Sequence, residues 1–153
     1  MIRRASEADR EDVVALWLAL TRHHARRDPR YDLLPDAPAE ARRLLESELG
    51  HPDVAAFLAR SGGRPDGLAI VRVERAPPIH GEDCRAEITD LYVAPDARRG
   101  GRGRALVEAA VRWARERGAE RLEVRVASVN TEGRAFWRAL GYEPYMEILE
   151  RGL

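Results

Sequence analysis

Between Leu91 and Leu106 the chain reads Leu-Tyr-Val-Ala-Pro-Asp-Ala-Arg-Arg-Gly-Gly-Arg-Gly-Arg-Ala-Leu. A strand-like apolar stretch runs into a loop rich in glycine and arginine, and the loop opens a segment of helical periodicity. That order suits the binding of a phosphorylated ligand. The first amides of a helix lack intrahelical partners, and its N-terminus carries partial positive charge. Glycines let the backbone approach a bulky anion, so several N–H groups can point at it. Gly103 and its neighbours include no Ser, Thr, Asp or Asn that could cap the helix, a role that a bound phosphate would fill. Arg98, Arg99, Arg102 and Arg104 add guanidinium groups suited to phosphate oxygens. The bland alternative is a loop of solvated charges. Two other phosphate motifs are excluded: a P-loop needs Gly-Lys-Ser/Thr and the chain has no Lys, and the dinucleotide fingerprint needs glycine where Leu106 stands.

The elements that must position this loop follow from periodicity and breakers. Ile2 to Ala5 reads as a strand. Ser6-x-x-Asp9 resembles a capping box, and Val13, Trp17 and Leu20 recur at helical spacing, so a helix is expected from about Glu7 to His24. Residues 25–37 form a polar connection. A second helix is expected from Pro38 to Leu49, stopped by Gly50 and Pro52. Val54 to Arg60 and Gly67 to Arg75 read as a hairpin around Ser61 to Asp66. Residues 76–84 read as a loop and Ala86 to Val93 as a strand. A helix from Arg104 to Arg117, a strand from Arg121 to Val126, a helix from Thr131 to Leu140 and a final strand from Tyr145 to Glu150 complete the pattern. Antiparallel hairpins plus one strand-helix-strand crossover predict an α+β fold: a mixed, mostly antiparallel sheet with helices on both faces.

Composition narrows the function classes. The 153 residues are expected to form one domain. Basic and acidic residues number 26 each, so no global field favours nucleic acid or an acidic membrane. The longest apolar run, Val13 to Leu20, is far below the roughly 20 residues needed to span a bilayer. Residues 5–12 are mostly polar and do not read as a secretory signal. Cys84 is the single cysteine, which excludes an internal disulfide framework, fits a reducing compartment and makes a cytoplasmic location the expectation. Every basic residue is Arg.

The segment Arg98-x-x-Gly101-x-Gly103, preceded by Leu91-x-Val93 and followed by an amphipathic helix, resembles the acetyl-coenzyme A motif of the GCN5-related N-acetyltransferase (GNAT) superfamily. The run Asn130-Thr131-Glu132-Gly133-Arg134-Ala135-Phe136-Trp137-Arg138-Ala139-Leu140-Gly141-Tyr142 resembles that family's next motif. The likeness covers about residues 86–145; the N-terminal half matches in element order. The resemblance implies a sheet splayed in its middle, with the strand of Leu91, Tyr92 and Val93 parting from the strand of about Glu123 to Ala127. It implies that the pantetheine arm of acetyl-CoA lies in that opening and that the pyrophosphate is wrapped by Arg98, Arg99, Gly100, Gly101, Arg102 and Gly103. Asn130 would hydrogen-bond the pantetheine arm, or cap the helix that follows it. Trp137 stands where the family often has a thiolate-protonating Tyr. An indole N–H is no usable acid near neutral pH, so Trp137 is expected to pack beside the pantetheine arm.

Acetylation of an amine needs a base. Glu87, six residues before Val93, matches a spacing at which some family members place theirs, and a carboxylate in a partly dry cleft can have its pKa raised usefully. Asp90 competes. Strict alternation puts Glu87 and Asp90 on opposite faces of the strand, so both reach the cleft only if a bulge intervenes. His23, His24 and Tyr31 could line an acceptor pocket or be exposed polar residues at a helix end. His51 and His80 fall in loops, no metal spacing is visible, and no metal is expected. Cys84 reads as a bystander, and Trp17 and Trp113 as core. The leading expectation is an acetyl-CoA-dependent N-acyltransferase moving an acetyl group to a primary amine of a small molecule or peptide, by direct attack in a ternary complex. A non-catalytic acetyl-CoA-binding sensor is the alternative. A nucleic-acid-binding domain using the four arginines is disfavoured by zero net charge and the lack of interleaved exposed aromatics. Dimers are common in the resembled family, so a homodimer is one of the oligomeric states the resemblance allows.

Overall fold

The computed structural model describes residues 1–79, 81 and 84–153; His80 lies outside the described residues. The elements run β1 Ile2–Arg4, α1 Arg10–Ala25, α2 Ala37–Leu49, β2 Val54–Ser61, β3 Arg64–Arg75, β4 Cys84–Val93, α3 Arg102–Glu116, β5 Arg121–Val124 and α4 Thr131–Ala139. The five strands form one sheet in the order β1-β2-β3-β4-β5, antiparallel except for the β4–β5 pair. This is the mixed sheet expected from the hairpins and the crossover.

Both faces of the sheet are covered. In β2, Val54, Ala56 and Leu58 pack with Val13, Leu16, Ala41 and Leu45 of α1 and α2. Ala55, Phe57 and Ala59, on the other face, pack with Leu106, Ala110 and Trp113 of α3 and with Trp137 of α4. Double-sided burial explains why β2 reads as an unbroken apolar run although its neighbours are antiparallel. The β2–β3 turn is only Gly62-Gly63, with φ of 55° and 84°; glycine tolerates this left-handed pair, and such turns match the twist of a hairpin. The tight turn lets β3 begin at Arg64 rather than Gly67.

Two further expectations change. The first helix is divided: a 3-10 turn, Glu7–Asp9, precedes α1. Asp9 is nearly fully buried, and it accepts from the Ser6 N–H and hydroxyl at 2.8 Å and from Arg3 at 2.5 and 2.7 Å. Arg60 of β2 also reaches it, at 3.0 Å. That paired carboxylate pins the turn to β1 and β2. The expected last strand, Tyr145 to Glu150, is not one: residues 143–153 lie outside any helix or strand. Alternation marks a segment able to pair, but a strand also needs a ladder partner. This segment is held instead by Arg30 to Glu150 at 2.6 Å and by the Arg121 guanidinium 4.7 Å over the Tyr145 ring. Tyr145, Met146, Ile148 and Leu149 remain exposed.

Candidate active site

The bulge on which the two carboxylates depend is present. Val71 of β3 pairs with Ile88, but Ile70 pairs with Asp90, so Thr89 is an extra residue in β4. Before it, Ala86 and Ile88 face α3; after it, Leu91 and Val93 do. The alternation therefore resets, and Glu87, Asp90 and Tyr92 all share the α1–α2 face.

Their surroundings differ. Asp90 Oδ1 accepts from the Trp17 indole N–H at 3.0 Å, and Oδ2 accepts from the Thr89 hydroxyl at 2.7 Å. Burial pushes the Asp90 carboxyl above its usual value, against the opposing pull of these two donors. Glu87 sits where β4 still pairs with β5, opposite Glu123, and its carboxylate meets Arg125 Nε at 3.1 Å. Trp17, read from the sequence as core, thus also holds one of the two candidate carboxylates. Nothing in its helical spacing signals a partner 73 residues away. His24 stacks tilted on Tyr31 at 5.3 Å between ring centroids. Burial lowers the pKa of His24, with the nearby Asp90 charge opposing, and burial together with Arg27 lowers that of His23.

The pairing of β4 with β5 stops at Ile88 and Val124. From Thr89 to Val93 the β5-facing edge of β4 has no ladder partner among the described residues, which is the parting of strands expected around Leu91, Tyr92 and Val93. A 3-10 turn, Pro95–Ala97, leads from β4 into the loop. Arg99 and Gly101 both take positive φ, 64° and 79°; a non-glycine residue there is uncommon. The start of α3 has no side-chain cap. The described geometry thus fits a phosphate: an uncapped helix start, a left-handed glycine before it, and exposed Arg99 and Arg104 around it. Arg98 is also exposed, and its Nε donates to Val93 O at 3.0 Å.

Three candidates of this region carry structural duties. A Cβ on Gly103 would stand 3.1 Å from the Phe136 ring, so this glycine lets α4 close onto α3. Arg102 is tied to Asp66 at 3.1 Å. Asn130 Oδ1 accepts from Gly133 N at 3.0 Å, capping α4. Trp137 is buried, edge-on to Phe136 and Tyr142 at 5.1 and 4.9 Å. A groove of about 400 Å³ lies along α3, lined by Val107, Val111, Leu140 and Tyr142 together with the charged Arg104, Glu108, Arg112 and Arg115. Cys84 is buried in the α3-facing core. Among the described residues no three His, Cys, Asp or Glu side chains gather as a metal site.

The sequence profile of the acetyltransferase (GNAT) family matches residues 17–142. The chain belongs to this family. It is accordingly an N-acetyltransferase that uses acetyl-CoA. No curated protein matches the chain. Among solved structures, a mutant of the BH1408 protein from Bacillus halodurans superposes with a TM-score of 0.88 at 20% identity, covering 100% of this chain and 99% of that one. The aminoglycoside 6'-N-acetyltransferase AAC(6')-IG from Acinetobacter haemolyticus gives 0.78 at 20% identity, covering 100% and 97%. The aminoglycoside N-acetyltransferase AAC(6')-Iy in complex with CoA gives 0.73 at 18%, covering 100% and 98%. At these identities the superpositions establish the GNAT fold.

Proposed function

We propose that residues 1–153 form one N-acetyltransferase domain. In this reading the domain acetylates a primary amine of a small molecule or peptide by direct attack on acetyl-CoA in a ternary complex, with Asp90 as the base. The observation that carries the reading is the Thr89 bulge. It turns Asp90 onto the α1–α2 face at the point where β4 and β5 stop pairing. Glu87 is the second candidate; it lies within the paired stretch and is engaged by Arg125.

The free edge of Leu91, Tyr92 and Val93 would take the pantetheine arm, with the Asn130 amide as a further donor and Trp137 packing behind the region. Gly100, Gly101 and Gly103, with Arg98 and Arg99, would meet the phosphates. The neutral amine nitrogen attacks the thioester carbonyl carbon and the C–S bond breaks. The amine proton passes to the Asp90 carboxylate, directly or through water, and a raised pKa favours that transfer. The thiolate leaves without a side-chain acid and takes its proton from water, since a thiol's pKa is about 8.5.

The names of two similar structures support a small-molecule amine as acceptor. A second copy of the chain as partner is supported by the exposed apolar residues of 145–149, and sedimentation would show it. No nucleic acid, membrane or metal has a part in this reading. Among the described residues no helix is long and apolar enough to cross a membrane; a cytoplasmic site of action rests on the unpaired Cys84.

Calorimetric titration with coenzyme A, then thioester consumption over a panel of amines, tests the proposal. Micromolar binding with turnover of at least one amine is expected. Binding without turnover of any amine would favour a sensor, and absence of binding would remove the reading.

A further inference from the structure

We infer that Asp66 is a positioning residue for the phosphate loop, one that commits the Arg102 charge to bracing the loop instead of to the ligand. The inference rests on the cofactor reading above. Asp66 is the extra residue where the β2–β3 register slips, since Gly67 pairs with Ala59 and Pro65 with Arg60. Its carbonyl accepts from Ala94 N at 2.8 Å, fixing the chain just before the loop. Its side chain is buried, only 6% exposed, and Oδ2 lies 3.1 Å from Arg102 Nε. Oδ1 is buried with no hydrogen-bond partner among the described residues. Arg102 is therefore the charge partner of a carboxylate removed from water, and burying an unpaired charge is costly.

The other ends of the guanidinium are also engaged. Nη1 donates to Ala97 O at 3.3 Å, and Nη2 donates to the Ser61 hydroxyl. A Cβ on Gly100 would stand 3.3 Å from Nη1, so that glycine leaves room for the group. One rigid fork thus joins the β2–β3 hairpin, the turn before the loop and the first residue of α3. A phosphate that recruited Arg102 would have to compete with Asp66. Arg98, Arg99 and Arg104 are exposed and lie outside this clamp.

The test is a double-mutant cycle of Asp66→Asn and Arg102→Gln, with Ser61→Ala as a variant that leaves no buried charge alone. Each is assayed with acetyl-CoA and with S-acetylpantetheine, which lacks the phosphates. Displacing a binding loop by about 1 Å can cost up to 10²-fold, so KM for acetyl-CoA is expected to rise about 10-fold or more in each of the first two variants. Ser61→Ala should show a smaller rise. The double variant should be no worse than either single one, because the pair acts as a unit. With S-acetylpantetheine, kcat/KM should change less than about twofold in every variant. Hydrogen exchange of amides 99–104 should accelerate in the free Asp66→Asn protein.

A rise in KM in Arg102→Gln but not in Asp66→Asn, with exchange unchanged, would make Arg102 a direct phosphate ligand and end the inference. Equal losses with both thioesters would show general disruption and also end it. If the wild-type protein failed to bind coenzyme A, the proposed function would fall, while the exchange measurement would still decide whether Asp66 holds the loop.

Discussion

Asp90→Asn separates catalysis from stability by moving them in different directions. Asparagine keeps an acceptor for the Trp17 N–H, now 3.0 Å from Oδ1, and its amide can donate to the Thr89 hydroxyl oxygen in place of the present 2.7 Å contact. Both contacts survive and a buried charge disappears. Because burial raises the Asp90 pKa, ionisation of this group works against the folded state, and its cost grows as pH rises through the folded value. The melting temperature of Asp90→Asn at neutral pH should therefore equal or exceed that of the wild type. Its kcat should fall by about 10²–10⁴-fold, the loss expected of a positioned base, with the Kd for coenzyme A little changed. Asp90→Ala should differ. It strands the Trp17 N–H, a loss of about 1–3 kcal/mol, or about 2–12 °C in a protein of this size. Steady-state kinetics with a fixed amine and calorimetric melting of both variants are the assays. The acidic limb of wild-type kcat/KM should also lie above the ordinary Asp value of about 4. If Asp90→Asn retains kcat within about threefold while Glu87→Gln loses it, Glu87 is the base and the argument from the bulge and strand parting fails.

Trp137→Phe should keep kcat within about tenfold, and Trp137→Ala should destabilise by roughly 3–5 kcal/mol, as expected for a buried large ring. A loss beyond about 100-fold in Trp137→Phe, with unchanged melting, would show that the indole N–H takes part in the reaction. Hydrogen bonds from Arg3 and Ser6 hold the Asp9 carboxyl well below the usual carboxylate range. Its stabilisation is therefore full above the unfolded pKa of about 4 and is lost as pH falls. Asp9→Asn should cost about 3 kcal/mol at pH 7, with the gap to wild type narrowing in melts at lower pH; a constant gap would contradict the assignment. Gly103→Ala should cost about 1–3 kcal/mol through its contact with Phe136 and be partly rescued by Phe136→Leu. Gly101→Ala, at φ 79° with nothing nearby, should cost about 1–2 kcal/mol without such rescue. Urea titration of the single and double variants would distinguish the two.

Local rules were enough for most of the scaffold. Helical spacing in α1, α2, α3 and α4 and the glycine-marked ends gave those elements to within a few residues, because each buries a stripe that the sequence displays. The loop before α3 was legible for the same reason, since glycine and arginine types at an uncapped helix start are a local signal. What depended on pairing was not. The Thr89 bulge is decided by the register between β3 and β4, and alternation in β4 alone does not reveal it. The segment Tyr145 to Glu150 shows the reverse, strand-like residues without a ladder partner. Asp66 reads as a turn residue and Arg102 as a phosphate ligand, and neither reading shows that the hairpin brings the two charges within 3.1 Å.

The ion pairs that tie this molecule together draw their cations from arginine, since the chain contains no lysine. For an enzyme that acetylates amines this has a chemical consequence. A guanidinium stays protonated under all ordinary conditions and is no acyl acceptor like an amine. The acid–base pairs that hold the fold cannot be cut by the protein's own reaction, and prolonged exposure to acetyl-CoA leaves their charges in place. Acetyl-lysine detected in a reaction mixture must then come from the acceptor, which makes the chain a blank background against which candidate peptide substrates can be screened.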